Sequence, residues 1–257
     1  MLFRSDGLRL QRLVKIGGYK LSIQAVLRVI FSNYFMAMLT PGASGGAVAQ
    51  VLVLKSYGVP ISKGTPIVLI RTVFSIMFLV IMLPLVFLRD AIEIPYISRD
   101  MLLLFAVLAV IATLLGTYIL QTKYMRQFVY NLAQRFKAHK TKDWLSKLET
   151  LNQGLGLLYK EPIQSVIVFF ESGLSLLCLY CIAPALMYAF TPDIPIIDIL
   201  DRMILLNLIL YFAPTPGGTG IAEGLFVVLF SAFVPNGTVG IVAVAWRVVA
   251  EYLPFFI

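Results

Sequence analysis

The sequence contains little charge and a single histidine. Only 13% of its 257 residues are charged and 60% are hydrophobic, whereas a soluble domain carries about 25% charged residues. His139 lies in a basic stretch, and the sequence holds no H-E-x-x-H motif, acidic metal cluster or nucleophile–histidine pair. These absences argue against catalysis by this chain alone and predict that it binds no cofactor or metal.

Cysteine is scarce as well. Cys178 and Cys181 form a C-x-x-C within an apolar segment that offers no histidine or acidic ligand nearby. Helical spacing places both on one face of a helix, in an apolar environment. We therefore interpret them as small packing residues rather than as a redox or metal site.

Long apolar runs dominate the rest of the chain. Runs of about 20 residues are long enough to cross a bilayer as helices. Their recurrence predicts an all-α polytopic membrane protein that forms one integral membrane domain over residues 1–257. The predicted apolar segments are 21–39, 43–58, 66–88, 99–120, 162–190, 196–213, 217–234 and 238–257.

The net charge of +8 is concentrated in two stretches. Residues 1–20 carry five basic side chains against one acid, and residues 121–161 carry eight against three. Because basic loops stay in the cytoplasm, we predict a cytoplasmic linker over 1–20 and a cytoplasmic insert over 121–161. The positive excess then faces anionic lipid headgroups and not nucleic acid. Helical spacing in the insert predicts two amphipathic helices. Their role stays open: they contact anionic lipid, they dock a soluble partner, or the insert is only a solvated basic loop.

A proline–glycine motif occurs twice. The residues T-P-G stand at 40–42 and again at 215–217, each time followed by further glycines inside apolar sequence. Two unrelated kinks would not share matched flanking residues, so we predict an internal repeat whose copies are hairpins broken at T-P-G. The matched flanks are Arg28 with Arg202, Asn33 with Asn207, Val59-Pro60 with Val234-Pro235, and Arg71 with Arg247.

The number of membrane crossings between the two hairpins predicts that they are inverted relative to each other in the membrane. The first enters from the cytoplasm and returns there, and three crossings then leave residues 191–201 outside, so that the second hairpin enters from outside. Whether the hairpin arms cross fully stays open. Inverted repeats with broken helices are typical of transporters, because the backbone groups freed at proline and glycine must line a polar cavity. The expected helix starts at Gly42 and Gly217 would present amides to an anion such as phosphate.

Four charged residues lie deep in the apolar segments. An embedded charge costs about 2.5–3.5 kcal/mol on insertion scales, so it faces a cavity or a partner. We expect Arg71 and Arg247 to meet a phosphate, and Glu171 and Glu223 to face a cationic headgroup. The alternative is that these side chains pair with one another and only hold helices together.

These motifs resemble the membrane domain of the lysylphosphatidylglycerol synthase/flippase family, the membrane half of multiple peptide resistance factors and their stand-alone relatives. The resemblance implies a protein of the bacterial inner membrane that moves aminoacylated phospholipid, or another lipid-linked substrate, between leaflets. It also implies an association with antibiotic resistance. The residues that match the family motifs, and that we expect to bind substrate, are Thr40, Pro41, Gly42, Gly45 and Gly46 in the first copy and Thr215, Pro216, Gly217, Gly218, Gly220 and Glu223 in the second.

The sequence departs from the family in two respects. The soluble half that takes lysine from charged tRNA is absent, and the chain lacks the additional N-terminal helices and ends within an apolar segment. We therefore expect a fragment truncated at both ends. Three alternatives stay open: the membrane portion of a phosphatidylglycerol lysyltransferase that works with a separate soluble synthase, a small-molecule secondary transporter, and a non-transporting scaffold.

Overall fold

The structure is a computed structural model that describes residues 2–41, 44–89, 99–119, 156 and 161–252. The regular elements of these ranges are helices. In addition, Pro41 and Pro216 form one isolated β-bridge. The helices are α1 (Leu2–Ile16), α2 (Ile23–Leu39), α3 (Ser44–Ser56), α4 (Ile61–Leu88), α5 (Arg99–Ile119), α6 (Pro162–Tyr180), α7 (Ile182–Tyr188), α8 (Ile196–Leu210), α9 (Ile221–Phe230) and α10 (Val239–Arg247), with a 3₁₀ turn at Ser231–Phe233 and a π-helical segment at Val248–Tyr252.

The predicted all-α membrane fold is confirmed, and each predicted apolar segment contains one or two of these helices. Within the described ranges, two helical stretches are long and apolar enough to cross a bilayer. They are α4, with a mean hydropathy of 2.4, and α6 with α7, with a mean hydropathy of 2.1. The predicted insert at 121–161 lies almost entirely outside the described residues.

The prediction of a linker over residues 1–20 is wrong for residues 2–16, which form α1. Leu10, Leu13 and Val14 recur at helical spacing and are fully or almost fully buried. The basic residues of this stretch made it resemble a solvated loop. One of them, Arg9, is itself buried together with Asp6.

Two larger hydrophobic cores are stacked along α4, and a third, smaller one joins the end of α4 to α5. The first core packs α1, α2 and α3 against Ile67 and Phe74, and the second packs α7 to α10 against Leu79 and Val86. With 28 residues, α4 is about 42 Å long. The arms of the hairpins α2–α3 and α8–α9 have only 10–17 residues, or about 15–26 Å. Each hairpin therefore covers only part of the length of α4.

The two hairpins start from opposite ends of α4, as the inverted repeat predicts. The first hairpin leads directly into the start of α4, since only residues 57–60 separate α3 from it. At the other end, the side chain of Arg89 pairs with Asp201 near the start of α8, at 3.7 Å. The hairpin tips meet between these ends, where Pro41 and Pro216 form an antiparallel bridge.

Candidate functional site

A cavity of about 420 Å³ lies where the two hairpin tips meet. Both repeats contribute to its wall, together with α1, α4 and α6. The matched asparagines Asn33 and Asn207 both line it. The other lining residues are Asp6, Arg9, Tyr34, Ala37, Met38, Ser44, Ala47, Gln50, Leu69, Arg71, Thr72, Ser75, Ser175, Leu176, Leu179, Leu210, Tyr211, Ala213, Gly217, Gly218 and Glu251.

Three buried charges form an Arg–Asp–Arg triad (Arg9, Asp6, Arg71) on the wall near the first hairpin. One carboxylate oxygen of Asp6 accepts a hydrogen bond from Arg9 at 2.7 Å, and its other oxygen accepts one from Arg71. Arg9 also donates to the hydroxyl of Ser75 at 2.8 Å. All three charged side chains are at most 7% exposed. The triad ties α1 to the middle of α4.

Two amides extend this triad into the first hairpin. The Arg71 guanidinium donates to the side-chain oxygen of Gln50 on α3. The amide nitrogen of Gln50 in turn donates to the side-chain oxygen of Asn33 on α2, at 2.7 Å. One chain of hydrogen bonds therefore connects both arms of the hairpin with α4 and α1.

A Glu–Arg–Glu triad (Glu223, Arg247, Glu251) lies beside the second tip. Arg247 Nε donates to Glu223 at 2.8 Å, Arg247 Nη1 pairs with Glu251, and Arg247 Nη2 donates to the carbonyl oxygen of Gly217 at 2.7 Å. Glu251 lines the cavity, while Arg247 lies behind the wall. Arg247 therefore fixes the second tip from behind instead of facing the cavity.

The first tip is closed by Thr40 and two helical glycines. The hydroxyl of Thr40 accepts from the amide of Gly45 at 2.8 Å and donates to the carbonyl of Met36 at 2.7 Å. A Cβ on Gly46 would lie 2.5 Å from the side-chain oxygen of Asn33 and 2.9 Å from its carbonyl oxygen. Gly46 therefore allows α3 to approach α2 closely enough for the bond between Gln50 and Asn33.

The second tip is a loop of left-handed glycines. Gly217, Gly218 and Gly220 have φ values of +59°, +68° and +83°, which side chains of L-residues rarely adopt. Gly217 also lies against the backbone of Met38, which a Cβ there would meet at 3.3 Å. The loop therefore turns the chain tightly at the point where the two hairpins touch.

The prediction that Gly217 begins a helix whose amides face an anion is wrong, whereas the matching prediction for Gly42 stays a prediction. Helix α3 is described from Ser44, and α9 begins only at Ile221 because the glycines before it are left-handed. The amide of Gly220 donates to the Glu223 carboxylate at 2.6 Å. The Glu223 carboxylate of the protein therefore satisfies this amide. Gly42 lies outside the described residues.

The remaining predicted site residues fall into two groups. Arg71, Gly217 and Gly218 line the cavity, and Thr40, Pro41, Gly45, Gly46 and Pro216 build the tips that frame it. Thr215 is in the second tip, and its buried hydroxyl has no hydrogen-bond partner among the described residues. Glu171 is not among the cavity-lining residues. It pairs with Arg12 at 2.8 Å and so ties α6 to α1.

Sequence reasoning missed several polar residues of the cavity. Asp6 and Arg9 were placed in a linker, and Ser75, Gln50 and Glu251 were not singled out. The helical spacing of Leu10, Leu13 and Val14 was a usable signal for α1. Glu251 lies four residues after Arg247, a spacing that indicates a helical ion pair.

Comparison with known proteins gives one family and one distant relative. A family model described as the lysylphosphatidylglycerol synthase TM region matches residues 3–257. A UPF0104 membrane protein from Archaeoglobus fulgidus is 21% identical over 257 aligned residues, which cover 97% of this chain and 78% of that protein. No solved structure matches the chain. The matched region includes both hairpin tips and both triads.

Proposed function

Because this chain belongs to the family of the lysylphosphatidylglycerol synthase TM region, we propose that it carries a phospholipid or lipid-linked substrate between the leaflets of a membrane. The observation that carries this proposal is the cavity between the two hairpin tips. It lies beside Arg71 and Ser75, near the middle of α4, and both inverted repeats contribute to its wall.

The physical task of such a protein is to give a polar headgroup a path through hydrocarbon. Moving an unpaired polar group from water into hydrocarbon costs several kcal/mol, and moving an isolated ion costs far more. Guanidinium groups and side-chain amides along the cavity can replace the water around a phosphate. Arg71 is the residue that we assign to the phosphate, and Arg247 holds the second tip in place.

The hairpins give the cavity two potential entrances. Each tip reaches the cavity from a different end of α4, so a small movement of either hairpin would open a path toward that end. The proposed sidedness places the turn after α1 and residues 121–161 on the cytoplasmic side of the bacterial inner membrane. The start of the chain, which the basic residues predicted on that side, instead reaches inward, because Asp6 contacts Arg71 near the middle of α4. Anionic or aminoacylated phospholipid is the proposed cargo, and a separate soluble synthase is its proposed source.

A leaflet-exchange assay tests the proposal. The full chain is reconstituted into liposomes, and the initial rate is measured at which fluorescent phospholipids become accessible to a membrane-impermeant quencher. Exchange above that of protein-free liposomes is expected for the natural chain. Ala47→Phe fills the cavity and should abolish the increase, whereas Val107→Phe on the exposed face of α5 should keep it. Equal rates with and without protein would refute the proposal.

The two-entrance arrangement has its own test. In a chain with Cys178→Ser and Cys181→Ser, single cysteines at Lys63 and Asn236 are labelled with an impermeant reagent from either side of the membrane. We expect the Lys63 position to react only from the cytoplasm and the Asn236 position only from outside. Labelling of both positions from the same side would contradict the two-entrance arrangement.

A further inference from the structure

The two triads carry opposite net charges. In the Arg–Asp–Arg triad, two guanidinium groups share one carboxylate, which leaves a net charge of +1. In the Glu–Arg–Glu triad, two carboxylates share one guanidinium, which leaves a net charge of −1. The matched arginines of the repeat, Arg71 and Arg247, thus belong to clusters of opposite sign.

The positive excess is deeply buried. Arg9 and Arg71 both line the cavity, and the Nε atom of each is buried without a hydrogen-bond partner among the described residues. An uncompensated charge in such a place is costly unless an ion of opposite sign pairs with it. The geometry therefore calls for one anionic group against the Arg–Asp–Arg triad.

The negative excess reaches the same cavity through Glu251. Its side chain is 23% exposed, and it shares Arg247 with Glu223. Of the cavity-lining residues that the structure describes, four are charged: Asp6, Arg9, Arg71 and Glu251. Their charges sum to zero, two negative and two positive, so the cavity is neutral as a whole but polarised between its two triads.

We infer that the cavity selects a zwitterionic ligand, in which a phosphodiester faces the Arg–Asp–Arg triad and an ammonium group faces Glu251. This inference rests on the proposed transport of phospholipid, but it replaces the anionic or aminoacylated cargo proposed there with a zwitterionic one. A lysyl-lipid carries one phosphodiester and two ammonium groups and would bring a surplus positive charge. A phosphatidylglycerol carries no ammonium group and would leave the net negative charge of the Glu–Arg–Glu triad uncompensated. An amine-bearing phosphodiester such as phosphatidylethanolamine matches both poles.

The test is equilibrium binding to the purified full chain in detergent micelles, measured by native mass spectrometry. Phosphatidylethanolamine, phosphatidylglycerol and lysylphosphatidylglycerol with the same acyl chains compete in equal amounts. The natural chain should bind the zwitterionic lipid about tenfold more tightly than either competitor. Soluble glycerophosphoethanolamine forms a second arm: displacement of the lipid at equal concentration would identify the free headgroup as the ligand, and failure to displace would identify the lipid.

Two variants should shift the preference in opposite directions. Glu251→Gln removes the negative pole and should move the preference toward phosphatidylglycerol. Arg9→Gln leaves Asp6 neutralised by Arg71 alone and should move it toward the lysyl-lipid. Arg12→Gln, on the same helix but paired with Glu171 away from the cavity, should leave the preference unchanged. If Arg9→Gln does not fold, the Glu251→Gln result decides alone, because that side chain is partly exposed.

The outcomes separate this inference from the proposed function. A natural chain that prefers the lysyl-lipid or phosphatidylglycerol overturns the inference, even if it exchanges lipid. A preference that survives Glu251→Gln unchanged overturns it as well. A chain that binds the zwitterionic lipid selectively but exchanges none supports the inference and refutes the transport function.

Discussion

The first hairpin tip, residues 40–46, and the second, residues 215–224, begin with the same T-P-G but use their following glycines differently. In the first tip Gly45 and Gly46 are helical, and their missing Cβ atoms let α3 pack tightly against α2. In the second tip Gly217, Gly218 and Gly220 are left-handed and delay the start of the helix. One sequence signature thus produces close helix packing in one repeat and a tight turn in the other.

The polar partners of the tips differ in the same way. Arg71 reaches the first hairpin through the side chain of Gln50, whereas Arg247 holds the backbone carbonyl of Gly217 directly. In the packed first tip the arginine binds a side chain of the neighbouring helix, whereas in the glycine turn of the second tip it binds a backbone carbonyl. The repeats have therefore kept an arginine beside each tip and changed what it binds.

The largest difference between the triads should appear when each loses its repeat-matched arginine. Arg247→Met leaves Glu223 and Glu251 facing each other without a cation, so it should destabilise the protein by about 3–5 kcal/mol. Arg71→Met leaves the pair of Asp6 and Arg9 intact and should cost only about 1–3 kcal/mol. Equilibrium unfolding in mixed micelles measures both values. Equal losses would contradict the different charge balance that we assign to the two triads.

The sequence predicted the paired hairpins and Arg71 because each rests on local or repeated patterns. Apolar runs define helices, T-P-G breaks them, and the repeat matches Arg71 with Arg247. The triads could not be predicted in this way. Asp6 and Arg71 are 65 positions apart, and only the packing of α1 against α4 brings them together. The start of α9 was misplaced because Gly217 and Gly220 fit either a helix start or a left-handed turn.

The helical glycines provide a second comparison, between Gly46 in α3 and Gly224 in α9. Gly46→Ala places a methyl group against Asn33, and we expect a loss of about 2–3 kcal/mol. Gly224→Ala meets no atom within 4 Å and should stabilise the helix by up to about 1 kcal/mol. Equilibrium unfolding in mixed micelles measures the free energy of unfolding of each variant and tests both expectations. If both substitutions are neutral, close packing in the first tip is not the role of Gly46.

A third comparison separates steric from conformational glycine roles by replacing a glycine with alanine or with the larger asparagine. At Gly220, φ is +83° and ψ is −46°, outside the left-handed helical region that asparagine tolerates, and an added Cβ has open space. Alanine and asparagine should therefore cost a similar amount there, about 1–3 kcal/mol. At Gly46 asparagine should cost more than alanine, since the added atoms meet Asn33. Thermal unfolding of the four variants compares the two losses at each site, and a larger loss with asparagine at both sites would contradict the conformational role of Gly220.

The smallest expected difference lies at the hairpin bases, where Arg28 and Arg202 occupy matched positions. Arg28 donates to the hydroxyl of Tyr57 at 2.8 Å on an exposed surface, so Tyr57→Phe should change stability by less than about 0.5 kcal/mol. Arg202 donates to the carbonyl of Leu229 at 3.1 Å and lies over the ring of Phe233 at 4.9 Å. Arg202→Gln should therefore cost about 1 kcal/mol. Because both contacts join the two arms of one hairpin far from the tips, neither variant should alter lipid preference in the binding assay. A shift in preference with Arg202→Gln would show that the base of the second hairpin influences the cavity.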